Sequence, residues 1–60
     1  MSGYRLYFLD DQGHIVNHAE WLGEDDGEAE QQAAAQHDGR AMELWSGKRV
    51  VRRFDRRMDA

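Results

Sequence analysis

The most chemically distinctive stretch of the sequence is a run of cationic side chains near its end. Six of the chain's eight Lys and Arg residues fall within ten positions: Lys48, Arg49, Arg52, Arg53, Arg56 and Arg57. Guanidinium groups beside aromatic rings hold single-stranded nucleic acid through phosphate contacts and base stacking. The run therefore indicates a basic patch, and the alternative is an edge strand whose charges discourage stray strand pairing.

The face to which each cation points decides between these two interpretations. Successive side chains of a strand alternate between its two faces. Arg49 and Arg53 are therefore expected on one face together with Val51. Arg52 and Val50 are expected on the other. Aromatic rings on the first face would complete a platform for nucleic acid.

Histidines and acidic residues do not form a pattern typical of a metal or catalytic site. His14 and His18 are four residues apart, which in a strand separates them by about 13 Å, too far for one metal ion. A loop starting at Asp10 resembles a calcium loop, but its twelfth position holds Trp21 where a glutamate is needed. Neither a Ser–His–Asp set nor a phosphate-binding loop occurs. We expect no metal, no cofactor and no enzymatic activity.

The length of 60 residues allows one small domain, residues 1–60, and excludes the larger folds that host most enzymes. The core of such a domain supplies only a few kcal/mol, and self-association is a common remedy. No cysteine is present, which fits a reducing compartment. The longest apolar run, Leu6 to Leu9, is too short to span a bilayer, and residues 1–5 do not resemble a signal peptide. We expect a soluble cytoplasmic protein without a membrane partner.

The net charge of -4 is unevenly distributed along the chain. Nine acidic residues and a single arginine fall within residues 1–38, whereas seven bases and three acids fall within residues 39–60. This division could serve head-to-tail association, an acidic partner or pairing within one molecule. Pairing within one molecule is the interpretation that we favour.

The pattern of apolar and turn residues predicts two strands followed by a helix. Tyr4–Leu9 is the most apolar segment and is expected at the centre of a sheet, with a turn at Asp10–Gly13 and a second strand from His14 to about Trp21. Asp25 followed by Glu28 has the spacing of a helix N-terminal cap. The helix continues through the alanines to Gln36, and His37 and Gly39 form a stop signal.

The rest of the chain predicts a second hairpin. Ala41–Trp45 and Arg49–Phe54 are interpreted as the third and fourth strands, and residues 46–48 as their turn. The tail, residues 55–60, is expected to fray. The fold class is therefore α+β with the element order β-β-α-β-β. We expect a four-stranded antiparallel sheet in the order 2-1-3-4, with one helix packed on one face.

Several segments of the sequence carry a resemblance that spans most of the chain, from Tyr4 to Arg53. They are Tyr4-Arg5-Leu6-Tyr7-Phe8-Leu9-Asp10, Gly13-His14-Ile15, Asp25-Asp26 with Glu28-Ala29, Asp38-Gly39-Arg40-Ala41 and Glu43-Leu44-Trp45-Ser46-Gly47. In these segments the chain resembles a family of very short, uncharacterised bacterial proteins. The resemblance implies a shared small ββαββ domain and carries no catalytic or ligand residue.

The uncovered face of the sheet is the strongest indication of function. In the first strand Tyr4, Leu6 and Phe8 alternate with Tyr7 and Leu9, and a single alanine-rich helix can cover only one of these sets. The sequence leaves open which set faces the helix. Apolar surface left exposed in this way usually marks an interface.

We therefore expect a small module that self-associates, with a dimer favoured over larger assemblies. The expected interface residues are Tyr7, Leu9, Trp45 and Val51. Another protein partner is a further possibility. The alternative function is a nucleic-acid-binding accessory protein that uses the basic fourth strand and the exposed aromatic rings.

Overall fold

The computed structural model describes residues 2–56, which form four strands and one helix. The elements are β1 (Ser2–Leu9), β2 (Ile15–Gly23), α1 (Asp26–Ala35), β3 (Met42–Ser46) and β4 (Arg49–Phe54). All neighbouring strands are antiparallel, and the strand order is β2-β1-β3-β4. The expected α+β architecture is confirmed. Of the tail that was expected to fray, residues 57–60 lie outside the described residues.

Two turns bring the paired strands together, and each depends on a glycine with positive φ. Between β1 and β2, Asp10 Oδ1 accepts hydrogen bonds from the amides of Gln12 and His14, both at 2.8 Å, and Gly13 has a φ of 82°. Between β3 and β4, Gly47 has a φ of 61° at the first central position of a two-residue turn, which other residues rarely adopt. Both turns lie where the sequence predicts them.

Helix α1 begins at the predicted cap. Asp25 is extended, and its Oδ1 accepts a hydrogen bond from the amide of Glu28 at 2.8 Å. This bond satisfies one of the free N–H groups of the first turn. The helix ends at Ala35, and Gln36 caps it by donating its amide to Ala33. Gly39, which the sequence places just beyond the helix, lies after this cap and has a φ of 97°.

The core lies between the sheet and α1. Its buried members are Tyr4, Leu6, Ala29, Ala33, Met42 and Leu44, with Phe8, Trp21, Val51 and Phe54 packed around them. Leu6 is at the centre, where it pairs with Ala19 on β2 and Leu44 on β3 and has no exposed surface. The set of β1 residues that faces the helix is therefore the one that contains Leu6.

Two β-bulges interrupt the strand pairing. On β2, the register passes from Asn17 to Ile15 where β1 advances by one residue, so that Val16 is the extra residue. On β4, the register passes from Arg52 to Val50 opposite Leu44 and Trp45, so that Val51 is the extra residue. A bulge breaks the simple alternation of side chains along its strand.

Candidate interaction surface

The face of the sheet turned away from α1 forms the candidate site. Because Tyr4 and Leu6 are buried on the helix side, the alternating β1 residues point to the opposite side, and their cross-strand partners point there with them. We name this surface the open face. It consists of Arg5, Tyr7, Leu9, Ile15, His18, Glu20, Leu22, Glu43, Trp45, Val50 and Arg53.

Aromatic rings occupy the centre of the open face. The rings of Tyr7 and Trp45 meet edge to face, with 6.4 Å between their centroids and 82° between their planes. The imidazole of His18 lies 6.4 Å from the Tyr7 ring on the other side. Rings at these separations attract one another and restrict each other's orientation. The centre of the face is therefore an ordered aromatic cluster.

Arg5 is held beside this cluster by two partners. Its guanidinium donates to the Tyr7 hydroxyl at 3.2 Å and lies 3.0 Å from a carboxylate oxygen of Glu20. The hydrogen bond to Tyr7 and the charge of Glu20 raise the pKa of Arg5. The positive charge of Arg5 is thus balanced within the face.

A second ion pair lies on the other side of the aromatic cluster. Glu43 accepts a hydrogen bond from the indole nitrogen of Trp45 at 3.1 Å and lies 3.7 Å from the guanidinium of Arg53. The open face therefore carries two arginines and two glutamates in matched pairs around a central aromatic cluster.

Apolar side chains at the rim of the open face are exposed. Leu22 is 66% exposed, Ile15 57% and Val50 36%. Two hollows flank the Tyr7–Trp45 pair, one of about 520 Å³ over Gly3 and Gly47 and one of about 380 Å³ beside Ile15. The surface thus combines apolar projections with depressions that could receive side chains of a partner.

The structure places three of the four predicted interface residues on the open face and the fourth on the helix side of the sheet. Tyr7, Leu9 and Trp45 lie there, whereas Val51 packs against the helix-side core. The prediction for Val51 is wrong because the bulge on β4 makes this valine the extra residue. The same bulge places Val50 on the open face, opposite Trp45.

The expectation that Arg49 and Arg53 share a face is wrong for the same reason. Arg53 pairs with Glu43 on the open face, but Arg49 is on the helix side, where its two terminal nitrogens donate to Asp26 at 3.0 and 3.2 Å. Of these two guanidinium groups, only that of Arg53 therefore lies on the open face.

Most of the predicted basic patch is engaged by acidic side chains. Arg52 lies 3.1 Å from Glu30 and also covers the Phe54 ring, and Arg56 lies 3.2 Å from Asp11. Lys48 occupies the turn between β3 and β4, and Arg57 lies outside the described residues. With the pairs of Arg49 and Arg53, four of the patch's cations have carboxylate partners.

These pairs explain the uneven distribution of charge along the sequence. Asp11, Asp26 and Glu30 belong to the acidic part, residues 1–38, and each binds an arginine of the basic part. The described residues therefore favour pairing within one molecule. Exposed ion pairs contribute little stability individually, so their main effect is to neutralise the surface.

Asp26 joins the helix to strands β1 and β4 of the sheet. Its carboxylate accepts the two hydrogen bonds from Arg49 and a third from the buried Tyr4 hydroxyl at 2.9 Å. The bonds from Arg49, and then that from Tyr4, lower the pKa of Asp26. Asp10 also has a lowered pKa, because the amides of His14 and Gln12 donate to it.

These lowered pKa values predict a loss of stability in acid. A carboxylate whose pKa is lower in the folded state stabilises the fold above its unfolded pKa, about 3.9 for Asp, and loses that effect as the pH falls through the folded value. We expect the melting temperature to decline below about pH 5. Asp26→Asn should show a shallower decline, and Asp26→Asn with Asp10→Asn the shallowest. Equal slopes in thermal melts of all three proteins between pH 7 and pH 2 would contradict this assignment.

Sequence reasoning missed several members of the open face. Leu22 was outside the predicted second strand, which ended at Trp21 rather than Gly23, and Ile15 and Val50 depend on the two bulges. The alternation of Glu20, Trp21 and Leu22 was a signal that could have identified Leu22. No local signal could have indicated the bulges.

Within residues 2–56, no group of three or more His, Cys, Asp or Glu side chains is arranged to hold a metal ion. No helix in the same range has the length and hydrophobicity needed to cross a membrane.

The chain was also compared with known proteins. Protein-family models, curated proteins and solved structures give no match. The resemblance to short bacterial proteins therefore stays a prediction.

Proposed function

We propose that the protein is a small non-enzymatic interaction module that self-associates through the open face of its sheet. The observation that carries the proposal is the aromatic cluster of Tyr7 and Trp45, which lies on an uncovered face beside exposed Leu22, Ile15 and Val50. Water contact with such a surface is unfavourable, and a second copy would remove it.

The charges of the open face support a second copy as the partner. Arg5 and Glu20 neutralise each other, as do Glu43 and Arg53. Two such faces therefore approach each other without net repulsion. A partner with a strong net charge would meet no opposite net charge on the open face.

The area of the open face determines how strong the self-association is expected to be. Four strands about 4.8 Å apart, each offering about six residues at 3.3 Å per residue, give a face of about 400 Å². This area is about half of the 800 Å² that each partner buries in an interface of standard size. We therefore expect reversible association, with a dimer as the first product.

Binding of nucleic acid is the second candidate, supported by the exposed aromatic cluster beside Arg5 and Arg53. Each of these arginines already has a glutamate partner, and the glutamates would repel phosphate. Self-association is therefore favoured. The absence of cysteine suits a reducing compartment, so we propose the cytoplasm as the location.

Substitution of Trp45 tests the proposal. We expect light scattering to give the wild-type protein a mass of at least twice 7.0 kDa at high micromolar concentration, with little change on raising salt. Trp45→Glu should halve the mass of the assembly by placing a charge in the aromatic cluster. The new carboxylate would lie opposite Arg5 within the same sheet, so the fold should be retained.

The matched control is Gln31→Glu, which makes the same change of charge on the exposed side of α1. This variant should associate as the wild type does. A wild-type mass of 7.0 kDa at every concentration would overturn the proposal. A monomer that binds single-stranded DNA, with an affinity that falls steeply with salt and on Arg53→Ala, would instead establish the second candidate.

A further inference from the structure

The two edges of the sheet are protected unequally. The edge strand β4 has six residues, including Arg49, Arg52 and Arg53, and a bulge. Charged side chains and bulges discourage pairing with another chain. The other edge strand, β2, has nine residues and contains no lysine, arginine or proline, and its own bulge at Val16 lies outside the segment from His18 to Gly23. The β2 edge is therefore the more open to an additional strand.

Backbone hydrogen bonding identifies the groups that β2 presents at this edge. The amide of His18 donates to the side chain of Asn17 at 2.8 Å, so it does not bond to β1. In an antiparallel pair, residues bonded to the neighbouring strand alternate with residues that face away from it. Glu20 and Leu22, two and four positions after His18, therefore present their N–H and C=O groups outward.

We propose that β2 of a second copy pairs antiparallel with β2 at these groups, which joins two four-stranded sheets into one of eight strands. The register places Glu20 opposite Leu22 of the partner subunit, with the two-fold axis at Trp21. An axis at Glu20 would set two glutamates directly opposite each other, which is unfavourable. An axis at Ala19 would need the amide of His18, which Asn17 already occupies.

This edge contact is distinct from the face contact and extends the proposed function. A two-fold axis perpendicular to the sheet leaves both open faces on the same side. The joined face then measures about 800 Å², twice that of one copy, and matches one side of a standard interface. Two such eight-stranded sheets stacked through their open faces would contain four copies of the chain.

Cysteine cross-linking tests the register directly, because the chain has no cysteine of its own. Glu20→Cys and Leu22→Cys proteins are mixed and oxidised, and the products are separated by mass. Residues opposite each other in a bonded antiparallel pair have Cα atoms about 5.5 Å apart, within the range of a disulfide. The mixed disulfide should form about tenfold faster than either homodimeric disulfide, whose Cα atoms would be too far apart. Equal rates for the three products would overturn the proposal.

A proline substitution separates the edge contact from the face contact. Leu22→Pro removes an outward N–H that β1 does not use, a change that edge strands tolerate. Leu22→Ala is the matched control, because it loses the same side chain and keeps the amide. Leu22→Pro should halve the mass of the assembly relative to Leu22→Ala. Combined with Trp45→Glu, it should give the 7.0 kDa monomer.

The masses of the variants distinguish a failure of the edge contact from a failure of the face contact. If Leu22→Pro and Leu22→Ala have the same mass while Trp45→Glu is a monomer, the edge contact is wrong and the face contact stands. If Trp45→Glu has the wild-type mass while Leu22→Pro is a monomer, the face contact is wrong and the edge contact stands. Circular dichroism verifies the fold of each variant, and the cross-linking result decides if Leu22→Pro does not fold.

Discussion

Replacing Leu6 by alanine is expected to lower the free energy of unfolding by about 2–5 kcal/mol. Leu6 is fully buried on the central strand β1, between Ala19 and Leu44 and beneath the alanines of α1. Because the helix contributes only small side chains such as Ala33 to the core, few neighbouring atoms can move into the space that Leu6 leaves. The substitution therefore removes apolar burial and leaves a cavity.

A loss of this size approaches the whole stability of a domain of 60 residues. Urea unfolding followed by tryptophan fluorescence, at one low protein concentration, would measure it. Leu22→Ala is the control, because the Leu22 side chain is mostly exposed and its removal should change the stability by less than about 0.5 kcal/mol. Equal midpoints for the two variants would mean that Leu6 is not at the centre of the core.

The order of the elements could be predicted because its signals are local. Asp25 and Glu28 have the spacing of a cap, Gly13 and Gly47 mark turns, and the apolar density of Tyr4–Leu9 marks the central strand. Each of these features depends on residues within a few positions of one another. The structure has the cap, the turns and the central strand where these signals predict them.

The helix-covered face could not be predicted from the same signals. β1 carries large side chains on both faces, so either set could face the helix. The choice depends on how Tyr4 meets α1, where its hydroxyl donates to Asp26, 22 positions later in the chain. A contact at that separation leaves no local pattern in the sequence.

The candidate site was predictable only as far as regular alternation extends. Tyr7 and Trp45 were correctly expected on one surface, since β1 and β3 pair without a bulge. Val51 and Arg49 were placed wrongly, because the β4 bulge shifts the register opposite Trp45. The carboxylates that pair with the basic run could not be predicted either. Arg49 and Arg52 bind carboxylates that lie 23 and 22 positions away in the sequence.

Substitution by alanine should change the free energy of unfolding in opposite directions at two glycines near the ends of paired strands. A Cβ added at Gly23 would lie 3.0 and 3.2 Å from two ring carbons of Tyr4, and this ring is buried and tied to Asp26 by its hydroxyl. A Cβ added at Gly3, on the opposite strand, would have no neighbour within 4 Å. Neither glycine has a positive φ, so the backbone accepts alanine at both positions.

Gly23→Ala is therefore expected to lower the free energy of unfolding by about 1–3 kcal/mol, because the Tyr4 ring must move and strain the core. Gly3→Ala should raise it by about 0.4–1 kcal/mol, because alanine reduces the freedom of the unfolded chain. Both values come from urea unfolding at one low protein concentration. Gly23→Ala should cost less in a Tyr4→Leu background than in the wild type, since the smaller side chain leaves room for the new methyl group. If Gly23→Ala were as stable as Gly3→Ala, the close packing of Tyr4 on β2 would be excluded.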